Sequence, residues 1–128
     1  MNLAITALYA GILALILVAL AINVTIHRGK LKVPLGDGNN PVMRRMIRVH
    51  GNAAEYIPLA LVLMGIYELN GGSHTVLHVA GIALIVARIA QSSEMFSTEN
   101  AGPRRIAGQS ITWLTIIALA VLDIARAI

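Results

Sequence analysis

Cysteine is absent from the 128-residue chain, which excludes disulfides and any metal site built on thiolates. Aromatic residues are scarce, with one Phe and one Trp. No basic stripe interleaved with aromatics is present, so the net charge of +4 does not indicate nucleic acid. Charge itself is thin: 12% of residues are charged against 57% hydrophobic, and the mean hydropathy is +0.76. That is not a soluble globular composition. The Gly36-Asp37-Gly38 run has neither a strand before it nor Lys-Ser/Thr after it, so it is a turn rather than a phosphate loop. No Gly-x-Ser-x-Gly elbow and no nucleophile–base pair is evident. His74 and His78 stand at i, i+4 but have no third ligand nearby, so no metal is expected.

What fills the chain instead is lipid-compatible helix. Leu3 to Ile26 carries no charge and is long enough to span the hydrocarbon core. It lacks the basic n-region, short apolar run and cleavage site of a signal peptide, so a membrane-crossing helix is expected. Asn40 before Pro41 reads as an N-cap with proline at the first helical position, and Asn70-Gly71-Gly72 as a stop. The expectation is one all-α integral membrane domain over residues 1–128, a bundle of four transmembrane helices at about 3–26, 41–69, 73–91 and 104–127. Gly11, Gly65 and Gly81 are expected to be close packing points, and Met43, Met46 and Met64 packing residues. Asp123 and Arg126, at i, i+3, are expected to pair.

The second helix carries an anomaly. At about 100° per residue, Arg44, Arg48, Asn52 and Glu55 fall within an arc of roughly 80°. Two guanidiniums, an amide and a carboxylate thus share one stripe on a helix that should enter the membrane, and Pro58 follows with a kink expected there. Ionisable groups in such segments are costly and usually face a bundle interior or wet cavity. The stripe is the functional candidate; the structural alternative is a polar network that fixes helix register. Arg88, near the end of the third apolar run, is open to a simpler reading, a long side chain snorkelling to the interface.

Orientation follows from Lys and Arg counts. The first connection and the start of the second helix hold six of the ten basic residues. The second connection holds none, and Arg88, Arg104 and Arg105 flank the third. Connections one and three are therefore expected to be cytoplasmic, with both termini periplasmic.

The run GDGNNPVMRRMIRVHGNAAEYIPLALVLMGIYELNGG, followed by GIALIVAR, resembles the MAPEG family (membrane-associated proteins in eicosanoid and glutathione metabolism), particularly its bacterial branch. The Arg-x-x-x-Asn-x-x-Glu-Tyr-x-Pro pattern at Arg48, Asn52, Glu55, Tyr56 and Pro58 carries the likeness. The resemblance implies an inner-membrane homotrimer that binds glutathione between subunits near the cytosolic face and transfers its thiol to, or reduces, a hydrophobic small molecule arriving from membrane lipid. It implies glutathione-binding roles for Arg48, Asn52, Glu55, Tyr56, Arg88 and Arg104, and a thiolate-stabilising, catalytic role for Arg28. Positive-inside topology explains Arg28 equally well. One departure stands out: eicosanoid-making relatives have tyrosines after the residue matching Arg88, and many bacterial relatives a histidine where this chain has Gln91. The alternative function is a non-enzymatic membrane module that binds lipid or a partner protein.

Overall fold

Asn40 starts a helix as its side chain and neighbour dictate. Its Oδ1 accepts from Val42 N at 2.9 Å and Met43 N at 3.1 Å, and Pro41 occupies the first turn, where no N–H is needed. The resulting helix α2 (Pro41–Leu69) runs unbroken through Pro58 and stops where Gly71, at φ 71°, turns the chain. In the computed structural model, which describes residues 2–98 and 100–128, α2 is joined by α1 (Ala4–Leu31), α3 (His74–Ser97) and α4 (Pro103–Ala127). All four helices are long and apolar enough to cross a membrane.

Two helices outrun the limits expected from hydropathy. α1 continues from Ile26 to Leu31, where Lys32 at φ 54° ends it by donating its N–H to Arg28 O. Arg28 and Lys30 in the last turn suit the negative end of the helix dipole. α3 passes Gln91 and reaches Ser97, because Gln91, Glu94 and Met95 are buried against the bundle instead of leaving it.

Neither α1 nor α4 has a capping side chain of its own. Each borrows a carboxylate from another helix. Glu68 of α2 accepts from Ile5 N at 3.0 Å and Thr6 N at 2.7 Å, closing the start of α1. Glu94 of α3 accepts from Arg105 N at the start of α4. Glu68→Ala should therefore lower stability by about 1–2 kcal/mol. Thermal melting in detergent would show it, and an unchanged melting temperature would refute the cap.

α2 touches all three other helices; α4 packs chiefly on α3, and α1 chiefly on α2. Their shared interior holds Leu13, Val49, Ala53, Ala60, Met64, Leu77, Leu84 and Leu119. Met43, Met46 and Met64 are all buried, as expected of packing residues. The opposite faces are just as apolar, with Leu15, Val18, Val62, Val79 and Leu114 exposed to the surroundings. A helix apolar all round is what lipid permits. Of the three glycines, only Gly81 sits at a tight approach: a Cβ there would lie 2.3 Å from the Tyr9 ring, whereas nothing lies within 4 Å of one at Gly11 and only ordinary contacts surround Gly65. The expected Asp123–Arg126 pair does not form. Arg126 turns to α2, donating to Asn70 O at 2.9 Å and lying 5.0 Å above the Tyr67 ring, and the Asp123 oxygens are buried without a hydrogen bond.

Candidate functional site

The stripe on α2 divides by depth. Arg44, in its opening turns, donates Nε to Asp37 Oδ2 at 2.9 Å. Asp37 lies in the connection before α2; the Asn39 N–H and then the Arg44 guanidinium hold its carboxyl below the usual carboxylate range, so it stays charged at neutral pH. One turn on, Arg48 Nη1 meets Glu55 Oε1 at 3.2 Å, both side chains more than half exposed. Exposed pairs of this kind contribute little stability, so their groups are available to a ligand.

Asn52 points inward. Its Oδ1 accepts from Arg88 Nη1 at 2.6 Å and from Gln91 Nε2 at 2.8 Å, and its Nδ2 donates to Gln109 Oε1 at 3.4 Å. Arg88 Nη2 reaches Thr112 Oγ1 at 2.6 Å and also Gln91 Oε1. Thr112 can accept because its own proton goes to Gly108 O at 2.8 Å. Gln91 Nε2 donates to Gln109 Oε1 at 3.0 Å. One network therefore ties α2, α3 and α4 together.

Arg88 is its hub. Only 2% of the residue is exposed, so the snorkelling reading is overturned: the guanidinium lies inside the bundle, held by Asn52, Gln91 and Thr112. Its carbon stands 5.8 Å from the centre of the Tyr56 ring, within cation–π range. Every hydrogen-bonding partner is neutral, and among the described residues no carboxylate pairs with it. Among the described residues, Arg88 Nε and Gln109 Nε2 are buried donors without an acceptor. An uncompensated buried cation is unusual.

A groove of about 370 Å³ opens beside the hub, lined by Asn52, Tyr56, Gln91, Arg105, Gln109 and Trp113 among others. Of the residues named from sequence, Asn52, Tyr56 and Arg88 come together there, and the Arg48–Glu55 pair lies a turn away on α2. Arg104 turns outward, 3.2 Å from Ser93 Oγ and 3.9 Å from Glu94 Oε1, and its neighbour Arg105 lines the groove instead. Arg28 is elsewhere: its Nη1 donates to Val33 O at 3.1 Å and Gly36 O at 2.8 Å, bracing the first connection. His78 shares a 2.9 Å hydrogen bond with the Tyr9 hydroxyl, and no group of three or more potential metal ligands occurs among the described residues. Gln109 and Thr112 were missed. Their signal was available: with Arg105 they occupy i, i+4 and i+7, and so share one face of the helix.

Residues 6–125 match the model of the MAPEG family. The inner membrane protein YecN of Escherichia coli K12 is 33% identical over 124 residues, which cover 94% of this chain and 90% of that protein. YecN from Escherichia coli O6:H1 matches to the same extent.

Proposed function

The chain belongs to the MAPEG family, and from that premise we propose that it is a glutathione-binding protein of the bacterial inner membrane, assembled as a homotrimer. The observation that supports binding of an anion-bearing ligand is Arg88, a buried cation that no carboxylate pairs with among the described residues, beside an open groove. Glutathione carries two carboxylates and an ammonium. Arg48 and Arg105 offer charge-assisted donors to the former and Glu55 an acceptor to the latter, while Asn52 and Gln109 present amides to the peptide backbone. Trp113 and Ile106 give the groove an apolar edge for a hydrophobic electrophile. The reaction implied by the resemblance is transfer: the thiol proton leaves to solvent, the thiolate sulfur bonds to the electrophilic carbon, and, for an aryl halide, the carbon–halogen bond breaks and halide departs with its electron pair.

A second reading, a non-enzymatic module, has its own observation. Arg28 is occupied by loop carbonyls, and Gln91 stands where a hydroxyl or imidazole would assist the thiol. Calorimetric titration with glutathione and a conjugation assay with a hydrophobic aryl halide separate the two. Saturable binding in the wild type, weakened about tenfold or more in an Arg48→Ala, Glu55→Gln variant, is expected. No binding at millimolar glutathione by folded protein would refute the glutathione reading, and binding without conjugation would leave a binding module.

A further inference from the structure

Helix α4 starts with glycine at its N-cap, Gly102, and Pro103 in its first turn. The Gly102 backbone, at φ −93° and ψ 179°, already has the extended geometry from which Ser, Asp or Asn caps a helix. None of them fits. A Cβ at Gly102 would lie 2.1 Å from Glu94 Oε1 and 2.9 Å from Glu94 Oε2. The Glu94 carboxylate occupies the space of a capping side chain and accepts the bond such a side chain would take, from Arg105 N. Glu94 is 6% exposed, and its other oxygen stands 3.9 Å from Arg104 Nε. A negative group there also meets the positive end of the α4 dipole.

That bond is one of three rungs between α3 and α4. Arg88 donates to Thr112, Gln91 donates to Gln109, and Glu94 accepts from Arg105. On α3 the rungs step forward by three residues, and on α4 they step back by three and four, so each set follows one helix face. The Glu94 rung alone grasps backbone on α4, so it fixes where the first turn lies rather than the rotamer of one side chain. That turn builds one side of the groove. Ala101, Arg105, Ile106 and Gln109 line it, with Trp113 two turns beyond Arg105.

We infer that Glu94 is a positioning residue of the groove. It holds the first turn of α4 against α3 from behind the lining, and Gly102 is glycine because the carboxylate stands where its side chain would be. The consequence for ligand affinity rests on the glutathione reading above; the hold on α4 does not.

Three variants of the full-length protein in detergent test this: Glu94→Ala, Gly102→Ser, and the two combined. Melting temperature, glutathione affinity and the emission of Trp113, the only Trp in the chain, are read for each. Glu94→Ala should melt lower, shift Trp113 emission and bind glutathione about tenfold more weakly. Gly102→Ser alone should also melt lower, because its Cβ meets the carboxylate. With Glu94 truncated, the same serine has room and becomes a local cap, so the double variant should return toward wild type in all three readouts. Where Glu94→Ala alone does not fold, a folded double variant with wild-type emission supports the inference. Additive losses, a harmless Gly102→Ser, or a double variant that does not fold would overturn it. A Glu94→Ala protein that melts lower but keeps wild-type Trp113 emission also overturns it, as does one that keeps wild-type affinity where the wild type binds. Glu94 would then serve stability alone. If wild-type protein binds no glutathione, the glutathione reading fails, and the emission shift with its reversal still decides the role of Glu94.

Discussion

Arg88→Ala should destabilise the folded bundle by about 3 kcal/mol, and the loss should be largely reversible by removing its partners. In the wild type, Arg88 donates to Asn52, Gln91 and Thr112 at a site with 2% exposure. Truncation leaves the Gln91 oxygen without its donor and Thr112 without the charge-assisted bond, each costing about 1–3 kcal/mol, and opens a cavity. Relief of a desolvated guanidinium offsets part of this. Asn52 keeps one donor, since Gln91 still reaches it at 2.8 Å. A triple variant, Arg88→Met, Gln91→Leu, Thr112→Val, removes the donor with two of its three acceptors and leaves Asn52 Oδ1 to solvent in the groove that Asn52 lines, so it should melt within about 1 kcal/mol of wild type. Denaturation in mixed micelles, arranged as a mutant cycle, reads the coupling. Additive losses would mean that the network is not a unit. The same triple variant distinguishes ligand site from register device: if it is folded and stable but has lost glutathione binding, the Arg88 network, which includes groove-lining Gln91, serves the ligand.

The hub also shows where sequence reasoning stops. The limits of α2 were legible because both are written in adjacent residues, Asn40-Pro41 and Asn70-Gly71-Gly72. The far ends of α1 and α3 were not, because hydropathy marks where lipid-compatible residues end, not where backbone hydrogen bonding ends. That boundary error carries the Arg88 error with it. Placed at the end of an apolar run, Arg88 invites snorkelling; placed in a helix that continues to Ser97, it is interior. The angular stripe on α2 was real in direction, but an arc gives no depth, so it did not separate the exposed Arg48–Glu55 pair from the inward Asn52. Contacts across the chain were out of reach. Asn52 meets Gln109 across 57 residues, and Glu68 caps a helix that starts 64 positions earlier, its bond to Ile5 spanning 63. Four membrane-crossing helices needed only periodicity and length; the network needed their packing.

Gly108→Ala should be strongly damaging, more so than the same change at Gly81 or Gly11. A Cβ there would lie 2.5 Å from the Ala87 carbonyl oxygen, 2.9 Å from Gln91 Cβ and 3.1 Å from Gln91 N. Those atoms belong to the α3 backbone or sit directly on it, so no rotamer change relieves the overlap. α3 and α4 must separate, and these two helices form the largest interface in the bundle. Overpacking of this kind costs about 3 kcal/mol, more than the roughly 1 kcal/mol by which alanine is the better helix former. Gly81→Ala meets the ring of Tyr9, a side chain, and can be absorbed by moving that ring and losing its 2.9 Å bond to His78; an intermediate loss is expected. Gly11→Ala, with nothing within 4 Å, should gain about 1 kcal/mol from helix propensity alone. The order Gly108, Gly81, Gly11 in thermal melting would establish that α3 and α4 meet backbone to backbone beside the network. Equal effects at Gly108 and Gly11 would show that they do not. Because Thr112 bonds the Gly108 carbonyl and Gln91 lies opposite, forcing the helices apart there should also pull Thr112 from Arg88, and any ligand affinity that depends on the hub should fall with stability.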